Sequence, residues 1–180
     1  MTTLRSERLI LRPWRDEDLP AFAAMNADAR VMEFFLACLA RNESDEVAAR
    51  IRKDIDTRGW GFWALEVPGD APFIGFTGLS VPRFSAPFTP CVEIGWRLSP
   101  AYWRQGYATE AARAAIDFAA RALGLNEIVA FAVPDNHRSR AVMARLGMTH
   151  DARDDFDHPL LPESYNRRRH VLYRLAMPRP

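Results

Sequence analysis

The sequence predicts a single α/β domain over residues 1–180. Helical and strand-like patterns are mixed along the chain, and the second half alternates strand, helix, strand, helix, strand, which favours helices layered on a sheet. A chain of 180 residues can bury one sizeable core but is short for two. No internal repeat, low-complexity tract or interdomain linker divides the sequence.

Apolar spacing and helix-ending residues predict the elements of the first half. Asp16 is the expected N-cap of the first helix. The second helix opens with Ser-Asp-Glu, has Val47, Ile51 and Ile55 at helical spacing, and ends at Gly59. Alternating apolar residues between turns predict the strands. We therefore predict helices at 16–25 and 44–58, and strands at 9–11, 60–67, 72–81 and 91–98.

The second half begins with a loop at 83–90 that contains Phe84, Phe88 and two prolines. An alanine-rich helix comes later and ends at Gly124, and an apolar run of strand length follows it. We predict helices at 109–123 and 136–146, and strands at 126–133, 149–153 and 170–177.

Composition excludes several classes of protein. A net charge of +1 gives no field that favours nucleic acid or an acidic membrane. The two cysteines, Cys38 and Cys91, fit neither a disulfide scaffold nor a metal site. The longest apolar run, Phe34 to Ala40, is far below the roughly 20 residues of a membrane span. No signal-peptide core fits among the charged first residues, so we expect a cytoplasmic protein without a metal.

The segment from Ser99 to Glu110 leads from a strand into a helix and is the first candidate binding site. Gly106 lets a ligand approach the backbone closely, and the free amides at the start of the helix suit a phosphate or pyrophosphate. Arg104 adds a cation, and the hydroxyl of Thr109 can donate a further hydrogen bond. The alternative is a turn without a ligand, because one glycine is not a dinucleotide fingerprint.

Two motifs carry a resemblance to a known family. Trp103-Arg104-Gln105-Gly106-Tyr107-Ala108 resembles the Gln/Arg-x-x-Gly-x-Gly/Ala turn of the GNAT superfamily of acetyltransferases, with Trp103 where Gln or Arg is usual. Asn136 to Met148 resembles the family's Asn-x-x-Ser/Ala helix, although Asn136 could instead only cap that helix. The sequence around Tyr102-Trp103 is similar to the branch that contains the ribosomal-protein N-terminal serine/alanine acetyltransferases. Three shorter matches extend the resemblance over most of the chain: Ser6 to Arg12, Glu93 to Trp96 and Arg169 to Tyr173.

The resemblance implies a fold, a reaction and a co-substrate. The fold is α/β (α+β), with a mixed, mostly antiparallel central sheet of six to seven strands flanked by about four helices. The reaction is acetyl transfer from acetyl-coenzyme A to a primary amine, in a monomer or a homodimer. The residues implied in cofactor binding are Trp96, Arg97, Leu98, Arg104, Gln105, Gly106, Tyr107, Ala108, Thr109, Asn136 and Ser139.

Two residues are candidates for proton transfer. Glu93 lies on the strand that carries a catalytic carboxylate in the family, and strand alternation places it on one face with Gly95 and Arg97. The alternatives are that Glu93 is a surface residue and that His158 or Asp157 in a late loop is the base. Many relatives protonate the leaving thiolate with a tyrosine, but this chain has Met143 at that position. In the branch it resembles, the donor is the serine of the motif, here Ser139, with an ordered water as the alternative.

The acceptor is predicted from proton chemistry. At pH 7 about a tenth of an α-amine is neutral against roughly 0.04% of a lysine, a difference of about 3.4 kcal/mol. We therefore expect an exposed α-amine on a peptide or small molecule. Phe84 and Phe88, with the acidic segment 154–164, could form an apolar slot with an acidic mouth, or could only pack the loop. A coenzyme A-binding protein without catalysis is the alternative function.

Overall fold

The computed structural model describes residues 2–177. These residues contain four α-helices and nine strands. The helices are α1 (Leu19–Ala27), α2 (Arg41–Arg58), α3 (Tyr107–Arg121) and α4 (His137–Arg145). The strands are β1 (Leu4–Arg5), β2 (Ile10–Arg12), β3 (Phe62–Val67), β4 (Ala71–Ser80), β5 (Glu93–Leu98), β6 (Glu127–Ala132), β7 (Thr149–His150), β8 (Phe156–Asp157) and β9 (Arg169–Ala176).

The predicted α/β class, the mostly antiparallel pairing and the number of helices are confirmed. Over the described residues the strands are more numerous than predicted, because β1 and β8 have only two residues each. Two residues carry no alternation of apolar and polar side chains, so a pattern search has nothing to detect. The predicted strand at 149–153 also shortens to β7, and a 3₁₀ turn at Ala152–Asp154 follows it.

The starts of α1 and α2 correct the sequence prediction. Asp16 is not a helix N-cap, because Asp16–Asp18 forms a 3₁₀ turn and α1 begins at Leu19. The buried Asp18 carboxylate instead accepts hydrogen bonds from the Arg12 guanidinium, at 2.8 Å from each terminal nitrogen. Helix α2 begins at Arg41, and its Glu43 side chain accepts from the Ala40 amide at 2.7 Å. A carboxylate at the third helical position thus caps α2.

The chain divides into two compact units. The first comprises the chain up to Leu79 and residues 95–116, and contains β1 to β4 as successive antiparallel neighbours. Its core joins α1 and α2 to an aromatic group of Trp14, Phe22, Phe73 and Phe76, whose ring centroids lie 4.9–6.3 Å apart. The indole of Trp14 also donates to the Phe62 carbonyl at 2.7 Å, which satisfies its polar atom within this core.

The second unit comprises residues 80–94 and the chain from Asp117 onward. Strand β6 pairs antiparallel with β9 over its whole length, and β7 and β8 both pair with β9. The start of β5 is parallel to β6, with Glu93 opposite Val129. None of the helices described is long and apolar enough to cross a membrane. The same part of the chain contains no group of three or more His, Cys, Asp or Glu side chains that could hold a metal ion.

Candidate active site

The predicted cofactor turn joins the end of β5 to the start of α3, within the first unit. Pro100–Tyr102 forms a 3₁₀ turn, and both Arg104 (φ 62°) and Gly106 (φ 85°) adopt left-handed backbone conformations. The Glu110 amide donates to the Gly106 carbonyl at 3.0 Å, which is the first turn of α3. The amides that precede Glu110 at this end therefore have no acceptor within the helix and can bind an anion.

Side chains in this turn hold its shape. The indole of Trp103 donates to the Leu98 carbonyl at 2.7 Å and packs against the aromatic core of the first unit. Gln105 donates from its amide to the Ala101 carbonyl at 2.9 Å. The replacement of the family's Gln or Arg by Trp103 is thus accommodated by packing and by one hydrogen bond within the turn. The Arg104 side chain is exposed, whereas Thr109 is buried.

An N-terminal clamp, formed by Ser6 and Arg8, fixes the start of α3 through Glu110. The Glu110 carboxylate accepts from the Ser6 hydroxyl, from the Arg8 amide and from the Arg8 guanidinium, each at 2.7 Å. Arg8 also donates to the Gln105 carbonyl at 3.0 Å and lies over the Tyr107 ring at 4.5 Å. Burial alone would raise the pKa of Glu110, but the hydrogen bonds from Ser6 and Arg8 outweigh it and lower the pKa below its ordinary value.

The clamp was missed by the sequence analysis, although both of its parts were recognised there as matches to the family. Ser6 to Arg12 and the residues around Glu110 appeared as separate motifs. Nothing local connects them, because the pair Arg8 and Glu110 is 102 positions apart. An acidic residue in the first turn of a helix was the available signal, since it indicates a group that attracts a cation or a donor.

Glu93, the predicted base, lies in the second unit at the first position of β5. It faces Val129 across the parallel pair, and Val129 belongs to an apolar cluster with Phe156 and Leu172. The side chain is half-buried, and this removal from water raises the pKa of Glu93 to about 8. A carboxyl group with such a pKa is a much stronger base than an exposed glutamate.

The alternative base, His158, lies in an aromatic group of the second unit. Its ring centroid is 4.7 Å from that of Phe84 and 5.1 Å from that of His170. Burial, with a contribution from His170, lowers the pKa of His158 to about 4. Such an imidazole is neutral at physiological pH but too weakly basic to hold a proton taken from an amine. The directions of the two pKa shifts, raised at Glu93 and lowered at His158, agree with Glu93 as the candidate base.

Each of the three aspartates in the segment 154–164, where an acidic mouth was expected, contacts a basic residue. Asp154 accepts from Arg174 at 2.7 Å, and Asp155 contacts the His150 ring at 2.7 Å. Asp157 lies 3.6 Å from Arg169. Phe84 and Phe88 pack with Phe131 and Phe156 at centroid distances of 4.7–6.4 Å, which is the packing that the sequence analysis kept as the alternative to an apolar slot.

Asn136 and Ser139 occupy the start of α4. The Asn136 side-chain carbonyl accepts from the Ser139 amide at 3.0 Å, so Asn136 is the N-cap that the sequence analysis kept as an alternative. Ser139 is half-buried in the first turn, and Met143 is fully buried. Arg140 donates to the Pro134 carbonyl at 2.9 Å and to the Tyr173 hydroxyl at 3.3 Å, which makes it a structural residue of this unit.

The remaining predicted residues, Trp96, Arg97 and Leu98, lie on β5 within the first unit. A Cβ added at Gly75 would overlap the Arg97 carbonyl oxygen, so β4 and β5 approach closely here only because residue 75 is glycine. The Ser99 amide continues this contact by donating to the Ile74 carbonyl at 2.9 Å.

Comparison with known proteins agrees with this geometry. The chain is 32% identical over 157 residues to FsC-acetyl coenzyme A-N(2)-transacetylase of Aspergillus fumigatus. The aligned region covers 82% of this chain and 65% of that relative, so the match spans less than two thirds of the relative's length. An acetyltransferase structure from Agrobacterium tumefaciens superposes with a TM-score of 0.78 at 30% identity, over 98% of this chain and 95% of that one. RimL, a ribosomal L7/L12 alpha-N-protein acetyltransferase solved with coenzyme A, shares the fold with a TM-score of 0.75 at 17% identity, over 98% of both chains.

A family profile described as an acetyltransferase (GNAT) domain matches residues 8–149. This range includes the cofactor turn, Glu93 and the start of α4. The predicted family, enzyme class and co-substrate are thereby confirmed. The chain belongs to the GNAT family of N-acetyltransferases, which take the acetyl group from acetyl-coenzyme A.

Proposed function

We propose that this protein acetylates an α-amine, on a peptide N-terminus or a small molecule, by direct attack of the amine on the thioester of acetyl-coenzyme A. The observation that carries the proposal is the position of Glu93, half-buried at the first residue of β5, the strand that continues into the predicted cofactor turn; burial also raises its pKa. The amine nitrogen bonds to the carbonyl carbon, and the carbon–sulfur bond breaks. Glu93 takes the proton from nitrogen and releases it to solvent, and Ser139 supplies a proton to the leaving thiolate and regains one from solvent.

The pKa of Glu93 matches an α-amine better than a lysine. An α-amine has a pKa near 8 and a lysine near 10.4. Because burial brings the pKa of Glu93 closer to that of an α-amine, proton transfer to Glu93 is less unfavourable from an α-amine than from a lysine. General bases work best when their pKa lies near that of the group they deprotonate and near the working pH.

The names of similar proteins support the same acceptor. RimL is named for an alpha-N-protein substrate, and the Aspergillus relative is named an N(2)-transacetylase. Neither name fixes the acceptor here, because one fold serves many acceptors. The buried Met143, which has no proton to donate, favours the second candidate function of coenzyme A binding without catalysis.

Thiol release from acetyl-coenzyme A, measured with a panel of acceptors, tests this proposal. We expect peptides with free N-termini or small α-amines to be acetylated faster than N-blocked peptides that contain lysine. Faster turnover of the blocked lysine peptides would contradict the proposed acceptor. Tight coenzyme A binding with no turnover of any amine would establish the non-catalytic alternative.

A further inference from the structure

Arg97 is a half-buried cation in the first unit that lacks a carboxylate partner. Among the residues that the structure describes, its guanidinium has one hydrogen-bond acceptor, the side-chain carbonyl of Asn26 at 2.7 Å, and no salt bridge. Its Nε–H group is buried without an acceptor. Arg12 shows the usual arrangement, because that buried guanidinium is neutralised by both Asp18 and Glu66. A charge withdrawn from water without a counter-charge is costly, and such sites are often functional.

A neutral network holds the guanidinium in place. Asn26 is fully buried and donates from its amide nitrogen to the Ser44 hydroxyl at 2.9 Å. This contact turns the Asn26 carbonyl towards Arg97, so the asparagine orients the cation. An aspartate at position 26 would also neutralise it, whereas the amide leaves the positive charge available for a ligand.

Aromatic rings complete the surroundings of Arg97. Its guanidinium carbon lies 4.2 Å from the ring centre of Phe35 and 5.4 Å from that of Phe76. Phe35 is 45% exposed and belongs to the connection between α1 and α2, so the ring that covers the guanidinium itself lies at the protein surface. A guanidinium that lies over aromatic rings keeps its N–H donors for hydrogen bonds, and their planar fork suits a carboxylate.

We propose that Arg97, oriented by Asn26 and covered by Phe35, binds a carboxylate of the amine acceptor. This inference rests on the proposed function and narrows it to acceptors that carry both an amine and an acid. The carboxylate has two possible sources: the α-carboxylate of a free amino acid, or an acidic side chain next to a peptide N-terminus. Both present the same planar anion to the fork of an arginine.

Matched pairs of acceptors test the proposal and distinguish the sources. One arm compares alanine with alaninamide, and the other compares Ala-Asp-amide with Ala-Asn-amide. The measured quantity is the preference of the enzyme, defined as kcat/KM for the acid divided by kcat/KM for its amide. The acid and its amide also differ in the intrinsic reactivity of their amines. This difference is the same for every enzyme variant, so it cancels when the preference of the wild type is divided by that of a variant.

Three variants make the test specific. Arg97→Met should reduce the acid preference by roughly ten- to a hundredfold in the arm that contains the true source, the range expected for a lost hydrogen bond to a charged group. Asn26→Asp should reduce it through internal neutralisation while retaining the arginine. Arg97→Lys should restore only part of the preference, because an ammonium group lacks the planar fork. Arg121→Met removes the same charge from an exposed position and should keep the preference of the wild type.

The outcomes separate this inference from the proposed function. Turnover of α-amines without any acid preference in either arm, or with a preference that survives Arg97→Met, would overturn the carboxylate site alone. If no amine is turned over, the proposed function fails. The carboxylate site can then still be tested by calorimetry, which measures the affinity of the coenzyme A-bound protein for each acid and for its amide. Equal affinity for acid and amide in that measurement would overturn it, and a preference for the acid that is lost in Arg97→Met would support it.

Discussion

At the scale of single residues, Glu93 shows how position within a strand sets chemistry. A glutamate on an exposed strand has a pKa near 4.3 and is a weak base. Glu93 stands opposite Val129 beside an apolar cluster, and burial raises its pKa to about 8. The sequence predicts the residue and its strand, but the shift comes from burial by parts of the chain that no local pattern identifies, such as the strand of Val129.

Glu93→Gln should therefore change the pH dependence of the reaction. With an α-amine acceptor we expect turnover to fall about a hundredfold at neutral pH and less at high pH, where the amine is neutral without help. An O-alkylhydroxylamine, already neutral in this range, separates the two titrations. The wild type should still show an inflection near pH 8 with this acceptor, and Glu93→Gln should not. Identical profiles would place the base elsewhere, and exposed Glu17→Gln is the control.

At the scale of elements, the start of α3 is the most constrained part of the first unit. Gly106 allows the left-handed backbone of the predicted cofactor turn, and the N-terminal clamp of Ser6 and Arg8 binds the Glu110 side chain. The glycine was predicted because its role is local, whereas the clamp was not, because its partners come from opposite parts of the sequence. The same reason explains why the contact between Arg97 and Asn26, 71 positions apart, left no local pattern.

Gly106→Asp should weaken coenzyme A binding more than tenfold, because its carboxylate meets the pyrophosphate at the amides of α3. The left-handed φ also costs about 1 kcal/mol for a residue with a Cβ, and that Cβ would lie 3.3 Å from Arg8. Gly69→Asp, at φ +79° in open space, carries the same backbone strain and is the matched control. Calorimetry with coenzyme A and urea unfolding measure the two effects separately. An unchanged affinity in folded Gly106→Asp would refute the assignment of the turn.

At the scale of the whole molecule, the sequence predicts the class, the number of helices and most strand positions, because those depend on local periodicity. It fails where partners are remote. Asp16 satisfied the rule for an N-cap, yet the pairing of Asp18 with Arg12 moved the start of α1. The acidic residues of 154–164 suggested an attractive mouth, but Asp154 is paired with Arg174, which is 20 positions away. Local sequence patterns predict the helices and strands. Which charged side chains remain without an ion-pair partner depends on contacts between distant parts of the chain.

The stability of the fold should respond to pH from both sides. Burial lowers the pKa of His158 to about 4, below its unfolded value, so stability is lost as the pH falls from about 6.5 through 4. Burial raises the pKa of Glu93 to about 8, so stability is lost as the pH rises from about 4.5 through 8. Urea unfolding of the wild type, His158→Gln and Glu93→Gln between pH 4 and 9 measures both contributions. We expect His158→Gln to reduce the acid loss and Glu93→Gln the alkaline loss; parallel curves would contradict both.

The N-terminal clamp links two quantities that are usually measured apart. Ser6 and Arg8 hold the residue on which the start of α3 depends, so anything that orders this turn also orders the N-terminal segment. The two effects are linked. If attachment of the N-terminal segment strengthens coenzyme A binding by a given free energy, bound coenzyme A stabilises the attached segment by the same free energy. We therefore expect coenzyme A to slow cleavage by a protease that cuts after Arg5 or Arg8, although neither bond lies in the predicted cofactor turn.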